Sequence, residues 1–228
     1  MIGIIGAMDI EVDLLKKMIS DPAVKTISGI EFISGTAFGK DVVVAKCGIG
    51  KVFAAMCAEA MILAYSPDLI INTGVAGSLS PELSTLDVAV SRAVVQHDFD
   101  TTALGDEKCH VCGLESKEIP ADAAISRAVE VIVKGLGVNC KVGVIASGDK
   151  FISSADAKEE IIRECGAVAC EMEGASIGHV CHVNRVPFTV IRAISDSADD
   201  ASGMDYPTFA KRAAALSSKI VEAFIMSV

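Results

Sequence analysis

Five carboxylates and one arginine stand where apolar runs give way to polar loops. Glu11 lies in GAMDIE, Asp149 in SGDKFI, Glu171 and Glu173 in EMEG, and Asp196 in ISDSAD, with Arg192 just ahead of the last. Desolvating a carboxylate is costly unless it finds a partner, so acids next to buried runs need a reason. Each also has a plain structural reason available. Glu11 suits the first turn of a helix, where the dipole favours negative charge. Asp196 and Asp149 suit turns. Glu171 and Glu173 share a face if a strand continues through them and part if a helix begins at 173, leaving one as a cap and the other as a ligand. Arg192, inside VIRAIS, suits an interior salt bridge. Two glycine loops, CGIGK and TGVAGS, could cradle a phosphate through backbone N–H groups or admit a sugar closely. Only Lys51 and Arg192 are basic nearby, which favours an uncharged sugar. No Ser-His-Asp or Cys-His order stands out, and GIGK is too short for a Walker A loop. His97, His179 and His182 read as structural.

These groups have to be positioned by strands and helices. IGIIGAM reads as a buried strand, followed by Ile10, Leu14, Leu15 and Met18 at helical spacing. IEFISGTAF and DVVVAKCG form a hairpin around Gly39-Lys40. A helix over 52–65 is ended by Pro67. DLIINTGVAG and DVAVSRAVVQHD are strands, 99–120 a loop, 121–135 a helix and KVGVIASGD a strand. Then come helix 155–165, strand 166–171, helix 173–184, strand 187–193 and a C-terminal helix from about 205. Continuous apolar strands alternating with helices predict a sheet covered on both faces, a three-layer α/β/α sandwich around a mixed central sheet. Neither linker nor repeat interrupts it, so residues 1–228 read as a single domain. In such a fold ligands bind beyond the carboxyl ends of the strands, where these acids and glycines collect.

Composition narrows the possibilities. Of 228 residues, 51% are hydrophobic, far from the disordered regime. No run approaches the roughly 18 apolar residues of a membrane span. MIGIIGAMDIEVD has no basic region and meets acids too early for a signal peptide, which points to the cytoplasm. The net charge of −10, with no Lys/Arg cluster, argues against nucleic-acid and anionic-membrane partners. The 8 cysteines lie mostly in apolar runs and read as reduced core thiols. CHVC at 109–112 has no second ligand pair at zinc spacing and reads as a polar loop with incidental thiols; no metal is expected.

Taken together, IGIIGAMDIEV, GIGKV, DLIINTGVAG, HDFD, SGDKFI, EMEG and VPFTVIRAISDSAD resemble the nucleoside phosphorylase/nucleosidase superfamily. Within it they are similar to the 5′-methylthioadenosine/S-adenosylhomocysteine nucleosidases, in the same order and over nearly the whole chain. The resemblance implies a nucleoside phosphorylase-like fold and hydrolysis of an N-glycosidic bond, releasing adenine and a 5-thioribose without a cofactor. It implies Glu11 as the base that activates water and Asp196 as the acid that protonates adenine N7, with Ser195 beside it. It implies Glu173 on the ribose hydroxyls with Met172 against the sugar, and Glu171 as structural. Ala76 and Gly77 line the ribose side, Phe151 stacks on the purine, and Ile152 meets the purine edge through its backbone. Met8, Ile49 and Tyr206 make the apolar pocket for the 5′-thio tail, and Arg192 orients Glu173 or the water. A homodimer follows, with a neighbour's loop near 99–112 over that tail.

Two positions depart from the pattern. Val75 stands where a serine is expected in NTGxAG, and TTALGDEKCHVC replaces a more apolar segment after HDFD. Three other activities remain open: a phosphorolytic purine nucleoside phosphorylase, a hydrolase of related 6-substituted nucleosides such as futalosine, and a non-catalytic purine-nucleoside-binding module.

Overall fold

In the computed structural model, which describes residues 1–199 and 202–228, the apolar runs become strands β1 (Ile2–Gly6), β3 (Ile30–Ala37), β4 (Lys40–Lys46), β5 (Leu69–Ser78), β6 (Val88–Gln96), β8 (Cys140–Ser147), β9 (Ala167–Glu171) and β10 (Phe188–Asp196). Two further strands, β2 (Ser20–Ile27) and the short β7 (Ile119–Pro120), complete one mixed sheet. The helices are α1 (Asp9–Lys16), α2 (Lys51–Tyr65), α3 (Ala123–Gly135), α4 (Ala155–Cys165), α5 (Gly174–Asn184) and α6 (Ser202–Ser227). Within the 99–120 segment there is only a single 3-10 turn, Thr102–Leu104, ahead of β7.

Strand alternation sorts the core into two layers. Ile5, Val43 and Ala45 face Ala54, Cys57, Met61, Ala175 and Ile177 of α2 and α5. Ile4, Val42 and Val44 face Val12, Leu15, Val129, Val133 and Phe224 of α1, α3 and α6. Residues one apart point to opposite faces, so a strand buried on both sides must be apolar at every position. β1 and the buried centre of β4, Val42–Ala45, meet this requirement.

The sheet also closes partly on itself. β5 runs parallel to β1 and β10 and then, at Gly77 and Ser78, pairs antiparallel with Cys170 and Ala169 of β9. Through β10–β6, β6–β8 and β8–β9, strands β5, β10, β6, β8 and β9 make a ring. This closure brings the ends of β5, β9 and β10 together, although they are far apart in the chain.

Besides the two-residue β7, the strand that sequence reading misses is β2. It lies at the sheet edge, carries Pro22, and is exposed along nearly its whole length. An edge strand with no buried face has no apolar alternation to betray it, and proline is tolerated there because one N–H side faces solvent. β10 runs three residues beyond the expected 193 and so carries Ser195 and Asp196 within the strand. CHVC departs from a purely polar loop. Cys109 is fully buried, packed with Ile152, Ile161 and Cys165, its Sγ 3.3 Å from the Cys165 Sγ, whereas Cys112 is exposed.

Candidate active site

Glu11 occupies the third position of α1, and its side chain turns back over the helix start. Oε2 accepts from the N–H groups of Ala7 (2.8 Å) and Met8 (2.9 Å), while Oε1 accepts from Val75 N–H at 3.0 Å. The helix-terminal role and a place in a site therefore coincide in one residue. Burial pushes its carboxyl above the ordinary carboxylate range; Arg192 and the three N–H donors pull the other way. The contact at position 75 is made by the backbone, so valine supplies it as well as serine does. The Val75 side chain packs with Ala193, Ala213 and Ala214.

β9 ends at Glu171 and α5 starts at Gly174, so the two glutamates of EMEG part. Glu171 is the cap. Its carboxylate accepts from the backbone N–H groups of Glu173 (3.0 Å) and Gly174 (2.8 Å) and from the Ser147 hydroxyl. It also pairs with Arg192. Glu173, 4% exposed, takes Gly50 N–H on Oε1 at 2.9 Å and has Arg192 Nη2 at 3.5 Å from Oε2. Desolvation pushes Glu173 up to about 7, against the pull of Arg192.

Arg192 is buried in the middle of β10. Its Nη2 donates to Asn72 Oδ1 at 2.6 Å and to Glu171, its Nη1 to Val75 O at 3.3 Å, and Nη1 stands 4.0 Å from Glu11 Oε1. The guanidinium and Glu11 approach this closely over Gly74, because a Cβ there would overlap both Glu11 Oε1 and Arg192 Nη1. At the end of β10, Asp196 is 2% exposed. Its Oδ2 accepts from Ser195 Oγ at 2.8 Å and its Oδ1 from Ala198 N–H at 2.9 Å.

One cavity of about 390 Å³ unites these groups, within the range of small-molecule sites. Glu11, Glu173, Arg192, Ser195 and Asp196 line it together with Ala76, Gly77 and Met172. Met8, Ile49, Phe151 and Tyr206 form its apolar end. There the Tyr206 hydroxyl meets Met8 Sδ at 3.3 Å, and Phe151 packs edge-on to Tyr206 with ring centres 5.5 Å apart. Of the site residues the resemblance implies, Ile152 alone does not line this cavity; Asp149, a candidate carboxylate from the sequence, also lies outside it. The Ile152 side chain is buried in the cluster around Cys109 and Cys165. Val75 and Glu171 border the cavity as well, and so do Ala7 and Cys170, which sequence reading does not single out. Their neighbours in GAMDIE and EMEG are the only signal for these two. Among the described residues no group of three or more His, Cys, Asp or Glu side chains is placed to hold a metal ion, and no helix is long and apolar enough to cross a membrane.

Comparison with known proteins gives the same lineage. The Phosphorylase superfamily model matches residues 1–226. The 5′-methylthioadenosine/S-adenosylhomocysteine nucleosidase of Shewanella sediminis (strain HAW-EB3) is 42% identical over 226 residues, 98% of each chain. The chain belongs to the 5′-methylthioadenosine/S-adenosylhomocysteine nucleosidase family. The nucleosidase of Neisseria meningitidis, solved in complex with methylthio-immucillin-A, superposes with a TM-score of 0.96 at 35% identity, covering 100% of this chain and 99% of that one. The futalosine hydrolase of Helicobacter pylori strain 26695 superposes with a TM-score of 0.95 at 33% identity, covering 100% and 97%. The nucleosidase fold, its central sheet and its N-glycosyl hydrolase class are thus common ground for this chain.

Proposed function

We propose that this cavity hydrolyses the N-glycosidic bond of 5′-methylthioadenosine and S-adenosylhomocysteine, releasing adenine and the 5-thioribose. One observation carries the choice of water over phosphate. Among the described residues Arg192 is the sole Lys or Arg lining the cavity, and it is already committed to Glu171, Asn72 and Val75 O. A phosphate nucleophile needs free cationic groups to hold it, whereas a neutral water needs only a base.

Asp196 protonates N7 and turns adenine into a better leaving group as the sugar gains oxocarbenium character. Glu11, held by three N–H donors, takes a proton from the attacking water. Glu173 accepts the ribose hydroxyls; a carboxylate has the lone pairs for both hydroxyls of a cis-diol. Phe151 stacks on the purine, Ile152 offers its backbone to the purine edge, and Met8, Ile49 and Tyr206 receive the 5′-thio tail.

The working unit is a homodimer. In the single chain α2 buries Ala54, Cys57, Ala58 and Met61 but exposes Val52, Phe53, Met56 and Leu63, so an apolar face remains to be covered. Ile49 and Phe151, at the cavity mouth, are about half exposed, and the neighbour's loop near 99–112 covers them.

The test is product analysis. The protein is incubated with 5′-methylthioadenosine, S-adenosylhomocysteine, 5′-deoxyadenosine and futalosine, each with and without phosphate. Adenine release at equal rate in both conditions is the expected result. A requirement for phosphate, with a sugar 1-phosphate as product, would overturn hydrolysis. Tight binding without turnover would leave only a binding module.

A further inference from the structure

We propose that Asp98 is a positioning residue for the site, acting through Lys51 and Asp149 to aim the Gly50 N–H at Glu173. This rests on the reading of Glu173 as the ribose-binding carboxylate. Asp98 lies outside the cavity, just past the end of β6, and its two oxygens divide their work. Oδ1 accepts the Lys51 ammonium at 2.5 Å, and Oδ2 accepts the backbone N–H of Asp149 at 2.8 Å. Asp149 in turn accepts the backbone N–H of Lys51 on its Oδ1 at 2.8 Å. Three loops that follow β4, β6 and β8 are thereby closed into one ring of hydrogen bonds. Gln96 Oε1, 3.3 Å from Lys51 Nζ, adds a fourth contact.

The ring matters because of what sits beside it. Gly50 precedes Lys51, has φ of +100°, and donates its backbone N–H to Glu173 Oε1 at 2.9 Å. A Cβ at Gly50 would stand 2.9 Å from Asp149 Oδ1, so the same carboxylate that holds Lys51 N–H also closes over Gly50. No side chain of the loop itself caps the start of α2; Asp149 does so from across the site. On the other arm, Asp149 is two residues from Phe151, at the cavity mouth. Asp98 thus fixes the donor that orients Glu173 and the turn that carries Phe151. The Lys51 ammonium and the Asp149 N–H hold the Asp98 carboxyl below its ordinary range against the cost of its partial burial, consistent with a permanently charged tether.

A double-mutant cycle separates this role from general support of the fold. kcat and KM are measured for wild type, Asp98→Ala, Glu173→Gln and the double variant, on 5′-methylthioadenosine and on its 3′-deoxy analogue. Asp98→Ala should lower kcat/KM for the intact nucleoside on the order of tenfold, the worth of a hydrogen bond to a charged group. The loss should appear mainly in KM, should shrink below about threefold on the 3′-deoxy analogue, and should nearly vanish in the Glu173→Gln background. An equal loss on both nucleosides where Glu173→Gln itself discriminates between them, or an equal loss in both backgrounds, would overturn the proposal. If Glu173→Gln itself loses equally on both nucleosides, the diol reading fails while the coupling between Asp98 and Glu173 still decides this one. Should Asp98→Ala not fold, Lys51→Met keeps the apolar stem and removes one tether. It is expected to show the same coupling to Glu173, and additivity there would equally sink the idea.

Discussion

Arg192 hydrogen-bonds Glu171 but stops 4.0 Å from Glu11, so one buried cation is shared unequally among three buried carboxylates. Removing one partner of a buried ionic group leaves the others uncompensated, which costs about 3–5 kcal/mol. Arg192→Met should therefore destabilise the protein by that order in urea unfolding at pH 8. The loss should be smaller at pH 5, where Glu173 is protonated. A variant as stable as wild type at pH 8 would mean that the carboxylates do not depend on Arg192.

Burial raises the affinity for protons of Glu11, the proposed base. A base works ionised, so kcat/KM should fall on the acid side with a midpoint above 4.5, the ordinary glutamate value. Glu173, raised to about 7, also titrates on the acid side, and the limb belongs to both groups together. Measuring the profile in Glu173→Gln isolates Glu11: the limb should persist there. Its disappearance would move the base role away from Glu11.

Asp196→Asn keeps the shape and the hydrogen bond from Ser195 but has no proton to deliver to a leaving base. Its kcat should drop by roughly 10²–10⁴-fold, the range of general acid catalysis, with a smaller effect on inhibitor binding. Steady-state kinetics alongside calorimetric titration with an inhibitor will show this. An unchanged kcat removes Asp196 as the acid.

Glu173 should cost the unliganded protein stability. Its folded pKa of about 7 lies above the ordinary glutamate value of 4.5, so stability is fully present below 4.5 and is lost as pH rises through about 7. Glu173→Gln removes that loss. It should raise Tm at pH 8 and leave it nearly unchanged at pH 4, while lowering activity on nucleosides with intact hydroxyls. A thermal-shift series over pH checks the sign; a lower Tm at pH 8 would show that the ionised side chain is net stabilising.

The uncovered face of α2 makes the dimer testable. If association covers Val52, Phe53, Met56 and Leu63, stability and activity should depend on protein concentration. Sedimentation at low micromolar concentration, run with activity, should show a dimer. A monomer with full activity on 5′-methylthioadenosine would remove the partner-loop proposal.

Local pattern was enough to place most strands and helices in this chain, because an element buried on one or both faces must carry apolar residues at its own period. The same pattern put acids and glycines at the strand ends, and Glu11, Glu173 and Asp196 line one cavity while Asp149 does not; the resemblance supplied the apolar lining, Met8, Ile49, Phe151 and Tyr206. What the pattern could not carry is pairing across the chain. Local spacing made Glu171 and Glu173 equal candidates; the register of β9 with β8 and the start of α5 at Gly174 made Glu171 the cap and the main partner of Arg192. Likewise Asp98, Lys51 and Asp149 are ordinary loop residues until β4, β6 and β8 bring their ends together. Cys109 reads as a polar-loop thiol until its loop folds onto Cys165. Burial pattern is a property of neighbouring residues and is written locally. The partner of a buried charge is chosen by sheet register and loop closure, which act between residues tens of positions apart.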